Sequence, residues 1–299
     1  MYFQKIILII TLYTTGFSKT GYPAFDVFTS STEVSMGGAS FLMASTISSK
    51  LNPSVVYKGR GFSTSVIRYP ADITSQSAGL IFPWSNGQGS LSLRHIAYGV
   101  FEGYNDNLQS SGTYRSSDTW VRSTYSQEIK GRPIRTGISF QYFNSSLQNS
   151  SINILDFSLG ALYFFNRSKS SFGISVHQLG KTMFENASGF LKPQIVLSGS
   201  RKLAYLPLKL YIDTIVSKKL AIKEIYLGGM FDFHNNIQIR LGTSTRKIDH
   251  NLRQDLLKTI LGATGFGITY ISGNTSVNYG TFIYGTGTWI QGLEIGIDF

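Results

Sequence analysis

Apolar residues alternate with small or polar ones, with a period of two, in stretch after stretch of this chain. No other sequence feature constrains its fold so tightly. The last stretch shows the pattern most clearly. On a strand, Trp289, Gln291, Leu293, Ile295, Ile297 and Phe299 share one face, and Ile290, Gly292, Glu294, Gly296 and Asp298 share the other. The first face is apolar with an aromatic at each end, and the second is mostly small or acidic. A soluble sheet would turn such a face to a core. A barrel strand in lipid would turn it outward, with aromatics at the two interfaces and about ten residues of length.

The pattern recurs upstream. Ile237, Ile239 and Leu241 interleave with Gln238, Arg240 and Gly242, and Phe266, Ile268 and Tyr270 with Gly265, Gly267 and Thr269. About fourteen such stretches lie between Gly61 and Phe299, an even number, as closed bacterial barrels have. The alternation lapses at Ile96–Phe101, where both faces are apolar. That lapse points to packing on another segment or to a break in register. The connections tend to sort by parity, although the outer ones near Pro70, Lys218 and Gly285 are short. Ser85–Gly87, Lys130–Pro133, Asn166–Ser170, Ala204–Pro207, His234–Asn235 and Gly273–Asn274 are short, whereas Asn105–Ser116, Asn144–Asn153, Lys181–Lys192 and Arg246–Lys258 read as long polar loops. Short periplasmic turns opposite longer outer loops are a barrel trait. A strand ending on Phe299 also resembles the terminal strand of outer-membrane barrels. The expected fold is therefore all-β: a closed antiparallel transmembrane barrel of about fourteen strands, residues 61–299, with a short N-terminal plug or lining segment.

The N-terminus reads as a secretory signal over residues 1–18, with Lys5, an apolar run from Ile6 to Tyr13, and small residues at Gly16 and Ser18. The chain has no Cys, so an exported protein of this kind is held by burial and closure rather than by disulfides. The net charge of +11 is spread along the chain. In an exported β-rich protein it suits solvated loops and anionic headgroups better than nucleic acid.

Catalytic and metal signatures do not emerge. His95, His177, His234 and His250 fall in different elements, and no serine stands out beside a histidine and an acid. The expectation is a non-enzyme without cofactors. Arg94, Lys209, Asp213, Arg240 and Glu294 fall on inward faces, where opposite signs can pair and fill a narrow lumen. Ile248, Leu252 and Leu256 recur at helical spacing among charges, which marks a candidate docking helix for a partner.

Residues 19–60 differ from the rest and carry Met36-Gly37-Gly38-Ala39 and Asn52-Pro53-Ser54. These patches, at Met36, Gly37, Gly38, Asn52 and Pro53, resemble the start of PorV/PorQ-like outer-membrane proteins, relatives of the FadL-like barrels. The acidic pair usual between the two patches is replaced by Thr46-Ile47-Ser48-Ser49. The resemblance implies an integral outer-membrane barrel surrounded by lipid. It implies an accessory of type IX-like protein secretion, with secretion-system or secreted proteins as partners. The alternative is a FadL-like transporter of hydrophobic small molecules. A soluble secreted β-protein is the third reading.

Overall fold

The computed structural model describes residues 19–20, 27–48, 50–56, 58–104, 109–147, 150–184, 188–216, 222–245, 262–283 and 288–299. The expected signal sequence and the candidate docking residues Ile248, Leu252 and Leu256 lie outside these ranges. A short strand β1 (Lys19–Thr20) and a helix α1 (Ser31–Ser35) come first. The strands that follow are β2 (Gly61–Arg68), β3 (Thr74–Trp84), β4 (Gly87–Tyr104), β5 (Ser110–Glu128), β6 (Ile134–Leu147), β7 (Ser150–Phe165) and β8 (Ser170–Phe184). Then come β9 (Ser188–Leu191), β10 (Gln194–Lys202), β11 (Leu208–Val216), β12 (Ile222–His234), β13 (Ile237–Ser244), β14 (Thr264–Ser272), β15 (Thr275–Ile283) and β16 (Trp289–Asp298).

Every barrel strand pairs antiparallel with its neighbours, and β16 closes on β2, with Leu293 opposite Val66 and Asp298 opposite Gly61. β8 joins β7 on one side and β10 on the other. Fourteen strands thus make a closed ring, which leaves no open edge in lipid. The small strand β9 pairs with the far end of β8, and β1 lies parallel to β9.

Burial follows the pleat. In β16 the residues alternate between exposed and buried, and Leu293, Ile295 and Ile297 are among the exposed ones. Exposed apolar side chains ring the outside, including Leu80, Leu93, Phe140, Leu159, Ile212 and Ile268, while Ser77, Gln141, Asp156, Thr269 and Asn278 are buried inside. This inverts the soluble rule, because the outer solvent is hydrocarbon.

Three stretches read as polar loops belong instead to strands. β5 begins at Ser110, β6 runs to Leu147 with β7 starting at Ser150, and β8 continues to Phe184. Their Ser- and Asn-rich sequences hide this, since paired backbone above the membrane needs no apolar face. One wall is therefore tall: β4 and β5 have 18 and 19 residues, against 8 in β13 and 9 in β14. The lapse at Ile96–Phe101 has its cause in β4. A register shift falls between Ala97 and Val100, where Gly99 has φ +101°. Below it, Ile96 is an inward core residue.

Candidate functional site inside the barrel

The lumen is built against residues 27–56, which are almost all buried and touch opposite sides of the ring. α1 packs on β13–β16 and β2, and the 3-10 turn Pro53–Val55 packs on β5–β7. Ser30 caps α1 by accepting the Glu33 amide at 3.0 Å. The Glu33 carboxylate accepts the Thr29 amide at 2.6 Å and the Ser48 hydroxyl, tying both ends of the segment together.

Met36, Gly37 and Gly38 form the turn after α1. Gly37 and Gly38 have φ of +57° and +93°, conformations that favour glycine. This turn presses on the wall so closely that a Cβ on Gly242 would collide with the Met36 carbonyl. On the other side, Asn52 accepts the Ser54 amide at 3.0 Å and donates to the Ile174 carbonyl at 3.1 Å. A Cβ on Gly160 would collide with the Asn52 side chain. Pro53 opens the 3-10 turn there.

Four of the five inward charges meet or approach this segment. Arg94 donates to the Val27 carbonyl at 3.3 Å, and Asp213 accepts the Phe41 amide at 3.4 Å. Arg240 donates to Thr32 Oγ1 at 3.1 Å and to Asn278 at 3.0 Å. Glu294 accepts the Thr32 amide at 3.2 Å and its hydroxyl at 3.3 Å. Lys209 is half-buried, with its Nζ 5.0 Å from the centre of the Tyr211 ring. No two of the five form a salt bridge with each other. Instead of pairing with one another, four of the five hydrogen-bond to the inner segment, and Arg240 also to Asn278 of the wall.

Sequence reasoning missed a second polar group. Lys50, Arg122, Gln141, Asp156, His177 and Gln178 line a chamber of about 40 Å³, roofed by Phe41 and Ile215. Arg122 donates to the carbonyls of Ser48 and Leu51 at 3.3 and 3.1 Å and to Ser139 at 3.1 Å. Asp156 Oδ1 is buried with no hydrogen-bond partner, which suits a chamber large enough for a few waters. His177 Nε2 and the Ser175 hydroxyl are 2.8 Å apart, but Asp156 makes no hydrogen bond to His177. The Ser-His pair therefore has no acid to orient it. Parity places Arg122 with Trp120 and Thr124, and His177 with Ser175, on inward faces, but nothing local in the sequence joins these residues into one group.

The inner wall is layered. Outward of the chamber, Ile96, Trp120, Phe143, Ile154 and Leu191 form a buried apolar cluster, with Val27, Tyr98 and Ile152 against it. Further out, Phe101 and Tyr114 stack with centroids 5.4 Å apart and planes at 23°. Toward the short turns, a second cavity of about 300 Å³ is lined by Met43, Ser45, Ser63, Arg240, Asn274 and Glu294.

No family model matches the sequence, and no curated protein matches it. Solved structures do. TbuX, a toluene transporter of Ralstonia pickettii, superposes with a TM-score of 0.57 at 11% identity, over 93% of this chain and 98% of that one. A deltaS2S3 mutant of TodX, a monoaromatic hydrocarbon channel, gives 0.57 at 11% identity over 93% and 99%. A FadL homologue of Pseudomonas aeruginosa gives 0.52 at 10% identity over 95% and 100%. The chain shares the fold of these FadL-type barrels. With its closed ring and apolar outer surface, it is an integral outer-membrane protein, not a soluble one. The resemblance to PorV/PorQ-like proteins, and with it the type IX secretion role and its protein partners, finds no support in these matches.

Proposed function

We propose that this barrel moves hydrophobic small molecules across the outer membrane, with residues 19–60 as its plug. One observation carries the reading. Along β4–β9 the outer lumen wall is mainly apolar and aromatic, from the Phe101–Tyr114 stack to the cluster around Trp120 and Phe143, with Asp118 taking the Tyr98 hydroxyl at 2.7 Å among them. A water-filled porin would carry polar side chains there. An apolar solute leaving water would gain from such a wall at each step inward. The named fold neighbours, a toluene transporter and a monoaromatic hydrocarbon channel, support the same class of cargo.

The test is uptake of radiolabelled toluene and of a labelled long-chain fatty acid by cells that express the protein. Uptake should exceed that of cells without it, and Phe101→Ser with Tyr114→Ser should reduce it while the folded band survives on an unboiled gel. Uptake equal to that of control cells for both solutes would remove the reading.

A further inference from the structure

The short-turn end of the barrel carries an unusual charge pattern. Exposed aromatics mark the membrane edge there: Trp84, Tyr163, Phe165, Phe172, Phe233 and Phe299. Some pair with neighbouring rings, Trp84 with Tyr125 at 5.8 Å and Tyr163 with Phe165 at 4.6 Å. Aromatic rings of this kind sit at headgroup depth. At the same level or just beyond lie Arg60, Lys130, Arg132, Arg167, Lys169 and Arg201, all exposed. Arg201 stands beside the exposed Leu210 in the β10–β11 pairing, and Arg167 follows Phe165 by two residues.

The acids of this rim are already engaged or few. Glu128 takes Lys58 at 2.9 Å and Arg135 at 2.6 Å, and Asp232 lies 4.0 Å from Lys202. Asp298 is the third. Among the described residues, none of the six exposed cations has a carboxylate within 4.0 Å. An arc of uncompensated cations at headgroup depth, from Arg60 before β2 round to Arg201 of β10, repels itself unless anions come to it, and a membrane leaflet supplies them.

We propose that this rim is a collar that binds the anionic phosphodiester headgroups of phospholipids in the periplasmic leaflet. The aromatics set the depth and the cations select the charge. Each cation near such a surface raises lipid occupancy about fivefold. The proposal does not depend on what the lumen carries.

Native mass spectrometry of the detergent-solubilised protein tests it, with phosphatidylglycerol or phosphatidylcholine added. The wild type should retain phosphatidylglycerol in clear preference. Arg167→Gln, Lys169→Gln and Arg201→Gln together should lower that retention on the order of a hundredfold. Arg115→Gln with Lys181→Gln, at the opposite end, should leave it unchanged. Should the triple variant lose its folded gel band, Arg167→Gln alone carries the same readout at about fivefold. Equal retention of both lipids by the wild type overturns the proposal. So does equal loss in the opposite-end variant, which would mean a diffuse effect of net charge. Displacement of the lipid by soluble glycerol phosphate would make the collar a site for a free phosphate ester and overturn the lipid assignment.

Discussion

The Arg94 guanidinium carbon lies 3.5 Å from the centre of the Trp120 ring, inside the barrel and under the apolar outer wall. The indole faces the cation at close range where water is excluded, a geometry that strengthens cation–π attraction. Trp120 is 2% exposed, whereas Trp84 and Trp289 are 56% and 54% exposed on the outer surface. Brominated lipids should therefore quench the fluorescence of Trp84 and Trp289 and spare Trp120. In a Trp84→Phe, Trp289→Phe variant the remaining emission should resist both brominated lipid and acrylamide. Strong lipid quenching of that variant would place Trp120 on the wrong face.

Leu293 sits near the middle of β16 with its side chain outward. Leu293→Arg should destabilise the barrel by about 2–4 kcal/mol in urea-induced unfolding from lipid vesicles. Gly296→Ser points inward, where a Cβ meets only the Ser276 and Ser63 hydroxyls at 2.8 and 3.2 Å. Its cost should be much the smaller of the two, and the opposite order would refute the register.

Thr32 bridges Arg240 and Glu294, accepting from the first and donating to the second. Thr32→Val keeps the shape and removes the bridge, so about 1–3 kcal/mol should be lost. Combined with Glu294→Gln, the loss should fall short of additive, because both changes act on one network. Strict additivity in a double-mutant cycle would show that the two groups are uncoupled.

Gly242 tests the fit of the inner segment. Gly242→Val would push the Met36 carbonyl away from the wall while leaving the outer surface intact. The variant should still show a folded gel band, yet liposomes containing it should leak small sugars faster than wild type. Gly229→Ala should change nothing, since its added Cβ would sit in ordinary contact with Leu208 at 3.5 Å. Unchanged leakage from Gly242→Val would mean that the segment yields without opening a path.

Glu128 gives a pH signature outside the membrane. Its hydrogen bond with Arg135, then that with Lys58, holds its carboxyl below the usual carboxylate range. A folded-state value below the unfolded one adds stability above the unfolded value, lost as pH falls through the folded one. The gain is small because the pair is solvent-screened, with the Glu128 side chain 44% exposed. Wild type should melt slightly higher than Glu128→Gln at about pH 7, and the gap should shrink as the pH falls through the carboxylate range. A gap that grows on acidification would contradict the assignment.

The strands were legible because lipid outside forces one face to be apolar, as Leu293, Ile295 and Ile297 show. The tall wall was not, because Ser146 and Ser151 pair through backbone and leave no periodic signal. Inward charges such as Arg240 could be placed by parity alone, yet their partners could not. Thr32 is 208 residues away from Arg240 in sequence, and nothing local marks it. The chamber around Arg122, Asp156 and His177 was invisible for the same reason. Polar inward residues occur on every strand, and only the closed ring brings these from β5, β7 and β8 together.

The helix α1 lies under the seam where the ring closes. Thr32 meets Glu294 of β16, Ser31 packs beneath Gly292, and the Thr29 carbonyl takes the Ser77 hydroxyl from β3. The first strand of the ring and the last are the most distant partners in the chain, and joining them carries the largest loop-closure cost of any pairing. A segment that touches both edges lowers that cost by holding them together before the final hydrogen bonds form. The inner segment is thus a mandrel for assembly as well as a filling. A chain lacking it should stall as an open sheet with β2 and β16 unjoined.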